Sequence, residues 1–147
     1  MAEVVEEIHI ERSAEAVWAA LADFGGISRW APNVDHSSLT TEQRTGTGAV
    51  RRVQVGRKAL LERVVQWEPG QTLGYAIEGL PPVVQSVTNT WKLDGAGDAT
   101  TVTLTSRVEA GPRPPQKVAA RVFGRVLAKA SQEMLEGLKD HLEESPV

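Results

Sequence analysis

Three side chains in the middle of the chain have the types and spacing to act together: Arg51, Glu62 and Tyr75. An arginine can anchor or polarise a carbonyl group. A carboxylate or a phenol can move a proton. A turn brings the first two together. Ala49 to Val55 and Lys58 to Glu68 are both strand-like, with Gly56-Arg57 between them. A two-residue loop with glycine first fits a type II′ hairpin turn. Val55 then faces Lys58, Val53 faces Leu60, Arg51 faces Glu62 and Ala49 faces Val64. Side chains alternate along a strand, so these pairs share one face, and that face is otherwise apolar. Glu68-Pro69-Gly70-Gln71 reads as the next turn. A tight connection there sets Tyr75 opposite Val64 and Ile77 opposite Glu62. A tyrosine hydroxyl on an apolar face needs a partner, which Glu62 or a ligand can supply.

Two readings of the Arg51–Glu62 pair stand side by side. It is an ordinary buried or rim ion pair, which is weak evidence of stability because desolvation can exceed the attraction. Alternatively, both side chains point into a cavity and meet a polar group on a ligand. The next strands add to the same face. Val87, Asn89, Trp91 and Leu93 form the inner parity of one, with Asn89 polar among apolar neighbours. Val102, Leu104, Ser106 and Val108 form that of the last.

The element that must cover this face is the last one, Pro114 to Glu143. Prolines open it, where a helix tolerates them. At about 100° per residue, Ala119, Phe123, Val126, Leu127, Ala130, Met134 and Leu138 share one arc. Arg121, Arg125, Lys129, Gln132, Glu136, Lys139 and Glu143 share the opposite one. Such a helix is roughly 45 Å long. It either caps a solid core or lies across the mouth of a ligand cavity.

The front of the chain supplies a brace. Val4 to Arg12 alternates as a half-buried strand, with His9 on the exposed parity. Ser13 has the position of an N-cap for a helix over Ala14 to Ala22, with Val17, Trp18 and Leu21 inward. A second short helix is expected from Ile27 to Trp30, ending before Pro32. Val34 to Thr41 reads as a polar edge strand. Strand, two short helices, six strands in hairpin succession and one long helix make a single α+β domain over residues 1–147.

Composition narrows the chemistry. The net charge is −3, with no dominant basic patch, so nucleic acid is not an expected partner. The absence of cysteine removes thiolate catalysis and disulfides and suits a reducing cytoplasm. Three histidines far apart give no metal spacing, and neither a metal nor another cofactor is expected. No glycine fingerprint or nucleophile elbow appears. No segment approaches the roughly 20 apolar residues of a membrane span. The sequence carries no signal of oligomeric state.

Several stretches taken in order carry a family resemblance. They are Ala16 to Phe24 with Trp30 and Pro32 after it, Gly48-Ala49-Val50-Arg51, and Glu62 followed by Trp67-Glu68-Pro69. Tyr75, Gly79-Leu80-Pro81 and Trp91 complete the set. In these the chain resembles the START-like helix-grip superfamily (SRPBCC), within it the polyketide cyclase/dehydrase and lipid-transport group. The resemblance implies a curved seven-stranded antiparallel sheet wrapped around the long C-terminal helix, with an apolar cavity between them. The ligand wall it implies takes Arg51, Val53, Leu60, Glu62 and Val64 from the central hairpin. Tyr75, Ile77, Asn89, Trp91, Leu104 and Ser106 come from the later strands, and Phe123, Leu127, Ala130 and Met134 from the helix. The function implied is binding of a lipid, polyketide or similar ring compound. The alternatives are a cyclase or dehydratase using Arg51, Glu62 and Tyr75, or an interaction module in which the helix or the Pro81-Pro82 loop docks a partner protein. An apolar stripe on the outer helix arc would mark the last, and the charged outer arc argues against it. The chain departs from the family in having no obvious acid/base pair involving histidine.

Overall fold

The computed structural model describes residues 2–80, 84–110 and 114–144. In chain order these form β1 (Ala2–Ile10), α1 (Ala14–Ala22), a 3-10 helix (Phe24–Arg29), β2 (His36–Leu39) and β3 (Val50–Val55). β4 (Lys58–Glu68), β5 (Thr72–Glu78), β6 (Val84–Ala96), β7 (Ala99–Ala110) and α2 (Pro114–Glu144) follow. The strands make one curved antiparallel sheet in the order β1-β7-β6-β5-β4-β3-β2. It does not close, and α2 lies in its concave side, as a helix-grip fold requires. Neighbours from β2 to β7 are joined by consecutive connections. β1 instead pairs with β7, from Ala2↔Val108 to Ile10↔Thr100, so the segment holding α1 crosses from one edge to the other.

The central hairpin has the expected register, with Arg51↔Glu62 and Val53↔Leu60 paired. Gly56 has φ 60, and among the described residues no non-glycine residue has positive φ, so Arg57 does not. A type I′ turn would need positive φ at both positions, which leaves type II′.

The β4–β5 connection reaches its expected register by another route. The Gln71 N–H bonds the Glu68 carbonyl at 2.9 Å, but the strands first pair at Glu68↔Thr72, one residue beyond a two-residue loop. A bulge between Val64 and Gln66 absorbs the offset, so Tyr75 still faces Val64 and Ile77 still faces Glu62. A bulge adds one residue to one strand and shifts its parity. Val65 is turned outward, while Val64 and Trp67 both face the core. Trp67 then packs edge-on against Trp18, with ring centroids 5.1 Å apart.

Two expected elements differ in extent. The short second helix is a 3-10 helix from Phe24 to Arg29, not Ile27 to Trp30. Gly25-Gly26 is a poor α-helix former, and the tighter turn is tolerated in short pieces. β2 covers only His36–Leu39 rather than Val34 to Thr41. The Val34 N–H bonds the Ala31 carbonyl at 3.1 Å, so Val34 ends a turn and packs into the core.

The Ser13 hydroxyl caps α1 by accepting from the Ala16 N–H at 3.3 Å. α2 buries Met134, Leu135 and Leu138 in its C-terminal half. Leu135 lies off the expected inner arc and is buried because this half is gripped on two sides. On one side the Lys139 ammonium donates to the His9 carbonyl at 2.7 Å, and the Glu143 carboxylate accepts from the Glu11 N–H at 2.9 Å. On the other, Gly137 sits directly against the Trp30 carbonyl and the Pro32 ring. Val126 departs from the expected arc: it is 59% exposed, while Phe123 and Leu127 of the same half pack against Val84, Val87 and Val108 of the sheet. The Ala119 side chain and the Pro81-Pro82 loop lie outside the described residues.

Gly137 therefore sets how closely α2 approaches. Alanine in a helix interior ordinarily gains about 1 kcal/mol over glycine. Here the added methyl group collides with backbone and a proline ring, so Gly137→Ala is expected to lower the denaturant midpoint. A midpoint above that of the parent protein contradicts the close approach.

Candidate functional site: an apolar cavity with a polar inner wall

Arg51 is 2% exposed, and two of its three nitrogens donate to protein groups. Nε donates to Glu62 Oε1 at 2.7 Å, and Nη1 donates to the Phe24 carbonyl at 2.9 Å. Nη2 also lies 2.7 Å from Glu62 Oε1, close enough for an ion pair, but without hydrogen-bond alignment. The guanidinium is stacked between two rings, 3.8 Å from the Phe24 centroid and 4.6 Å from that of Tyr75. Both contacts of the arginine on Glu62 fall on Oε1. The other carboxylate oxygen is left to the cavity that Glu62 borders.

A second polar chain runs across β5, β6 and β7. The Ser106 hydroxyl donates to Asn89 Oδ1 at 2.6 Å. Asn89 Nδ2 donates to the Tyr75 hydroxyl oxygen at 3.4 Å, and Trp91 Nε1 donates to it at 3.2 Å. The phenol oxygen thus accepts from two sides, and its own proton points elsewhere. Burial raises the Tyr75 pKa above its ordinary value. The nearby Glu62 charge raises it further, while Arg51 and the bonds from Trp91 and Asn89 oppose the shift. Tyr75 is a neutral donor at neutral pH.

Beside these groups lies a cavity of about 250 Å³ between the sheet and the N-terminal half of α2. Its sheet side is lined by Val53, Leu60, Glu62, Tyr75, Ile77 and Asn89, and its helix side by Phe123, Leu127, Ala130 and Met134. The other expected wall residues stand behind it. Arg51, Val64, Trp91, Leu104 and Ser106 are buried but do not border the space; Arg51 and Ser106 act through Glu62 and Asn89. The exposed lining residues Val55, Lys58, Gly79 and Val126 mark its mouth.

Asn33 is the polar wall residue that sequence reasoning missed. Its Oδ1 is buried without a partner, and the residue lines the cavity with its neighbour Val34 and with Ile27. It follows Pro32 in an irregular connection, where no periodicity assigns a side chain to a face. The histidines stand apart from the cavity. His9 pairs with Glu11 at 3.0 Å, His36 is at the β2 edge, and His141 borders a separate hollow with Asp23 and Arg29. Among the described residues no group of three or more His, Asp or Glu is placed to hold a metal ion.

A family model described as polyketide cyclase / dehydrase and lipid transport matches residues 1–143. The chain belongs to this family. Within the helix-grip superfamily, several solved structures share its fold. The Zhui aromatase/cyclase from a Streptomyces species superposes with a TM-score of 0.80 at 18% identity, covering 97% of this chain and 93% of that one. A protein from Thermobifida fusca gives 0.82 at 23% identity, over 98% and 95% of the two chains. A START superfamily protein from Mycobacterium smegmatis gives 0.74 at 14% identity, over 97% of each. At these identities the likeness establishes the fold alone. A search of curated proteins gives no match. Among the described residues no helix is long and apolar enough to cross a membrane.

Two measurements check this geometry. Tyr75 is the chain's one tyrosine, so ultraviolet absorbance reports it directly. Its folded pKa lies above the ordinary 10.0, so on raising the pH the unfolded chain ionises first. This contribution to stability is intact below about pH 10 and is lost as pH rises toward the folded value. Tyrosinate absorbance in the folded protein should appear only above the range of free tyrosine; appearance below it contradicts the buried network. Separately, Leu138 is fully buried in the core, and its truncation to alanine should cost about 2–5 kcal/mol. Met134 borders the cavity and has fewer contacts to lose, so Met134→Ala should cost visibly less. Equal losses in a denaturant melt would mean that no hollow lies beside Met134.

Proposed function

We propose that this protein binds a compact hydrophobic small molecule that carries at least one hydrogen-bonding group. The observation that carries this reading is the placement of unspent polar capacity. Asn33 Oδ1 is buried and unpartnered, Glu62 has a second carboxylate oxygen, and the Tyr75 proton has no acceptor in the network. All three residues line the same otherwise apolar space. Buried polar groups are nearly always paired, so unused hydrogen-bonding capacity on a cavity wall calls for a partner from outside.

The volume limits that partner. About 250 Å³ exceeds the roughly 150 Å³ that encloses benzene and falls below the roughly 300 Å³ at which drug-sized pockets begin. One or two fused rings, or a short chain, suit this space; a two-chain phospholipid does not.

Native mass spectrometry of freshly purified protein is expected to show a co-purified molecule of this size. A naphthol, two fused rings with one hydroxyl, is a suitable probe for calorimetric titration. Asn33 Oδ1 serves no protein bond, so Asn33→Ala should keep the parent melt while weakening the probe about three- to tenfold, the worth of one hydrogen bond. The apolar pair Arg51→Met/Glu62→Leu should also fold, because matched apolar replacement of a buried ion pair is often neutral. It should lose ligand retention. No co-purified molecule together with no binding of the probe would sink the proposal, as would both variants binding like the parent.

A second reading, catalysis of cyclisation or dehydration, has one observation in its favour. A neutral phenol and a carboxylate border the same space. Tyr75 could donate its proton to a carbonyl oxygen while Glu62 takes the adjacent carbon-bound proton, forming an enol. As the enol returns its proton to Tyr75, its carbon adds to a second carbonyl whose oxygen takes the proton held by Glu62, or a β-hydroxyl leaves as water with that proton. Turnover of a poly-ketone substrate that Tyr75→Phe abolishes, with binding retained, supports this reading. Binding without turnover leaves the carrier role.

A further inference from the structure

The N-terminal half of α2 has a feature that the cavity does not use. Val118, Val122 and Val126 are 59%, 56% and 59% exposed and recur every fourth residue, so they form one stripe along the helix. Arg121, Arg125 and Lys129 are exposed on the same half. At about 100° per residue the cations fall on and beside the valine stripe rather than on an opposite face. No acidic residue occurs in α2 before Glu133, although the whole chain is net negative. The stripe ends at the cavity, since Val126 lines its mouth together with the exposed Lys58.

We propose that this half of α2 docks on an anionic lipid bilayer surface. Three features select a bilayer over an acidic protein. Aromatic residues and methionine, which are enriched at the core of protein interfaces, do not occur on this stripe, where a cation stands beside each valine. The valines stand exposed on the helix, and of the three only Val126 borders the cavity. Arginine and lysine stems can lie along an apolar stripe while their heads reach lipid phosphates, as in helices that rest in the membrane interface. The same face holds the cavity mouth, so docking brings the opening to the phase in which a hydrophobic ligand is dissolved. The docking itself does not depend on the cavity being a ligand site.

The test is co-sedimentation of the full chain with vesicles at low salt. Binding is expected to phosphatidylcholine vesicles containing phosphatidylglycerol and not to pure phosphatidylcholine, with release by added salt. The charge reversal Arg121→Glu/Arg125→Glu/Lys129→Glu should weaken it at least about tenfold. Val118→Ser/Val122→Ser should weaken it without changing the salt response. Circular dichroism melts confirm that both variants fold. The proposal is overturned by a failure of the parent protein to sediment with the anionic vesicles, or by equal sedimentation with neutral ones. It is also overturned by unchanged sedimentation of either folded variant, or by binding to soluble polyglutamate in place of vesicles.

Discussion

One buried cation ties the polar wall of the cavity together. The Arg51 guanidinium joins β3 to Glu62 on β4, to the Phe24 carbonyl at the start of the 3-10 helix, and to the ring of Tyr75 on β5. An arginine this deep is costly to desolvate, and a single carboxylate seldom offsets the cost. Here a carbonyl and two aromatic faces share the load, a setting in which cation–π attraction reaches about 2 kcal/mol. The arrangement is a fixed positive centre behind the cavity wall. It holds the Glu62 carboxylate in place and opposes the upward shift of the Tyr75 pKa.

α2 is held at both ends of its length on the sheet. The C-terminal half is seated by Leu135 and Leu138, by the Lys139 and Glu143 bonds to the β1 end, and by the absence of a side chain at Gly137. The N-terminal half packs Phe123 and Leu127 against Val84, Val87 and Val108. Both side chains stay half-buried because the cavity lies beside them.

Polar groups on the wall are held by a second layer that does not touch the space. Ser106 orients Asn89, and Asn89 with Trp91 fixes the Tyr75 oxygen, just as Arg51 fixes Glu62. Donors and acceptors locked in this way need little reordering when a ligand arrives, which favours binding by pre-organisation.

The sequence by itself determined the α+β class, the amphipathic C-terminal helix, the Ser13 cap and the Arg51–Glu62 register. These are local matters: a glycine-first turn sets pairing, and alternation then assigns every side chain to a face. The family resemblance added the helix-grip arrangement. Tertiary structure decided the rest. The Val65 bulge was invisible because a bulge has no composition of its own; its sign is Trp67 meeting Trp18. Pairing of β1 with β7 joins residues about a hundred positions apart, beyond the reach of any turn. Which side chains border space, such as Asn33, and which stand behind it, such as Arg51, depends on how far helix and sheet diverge. One contact that bears on it is at Gly137, where the Trp30 carbonyl and the Pro32 ring meet α2. Periodicity assigns a side chain to a face, but only packing in three dimensions determines whether that face meets another atom or a void.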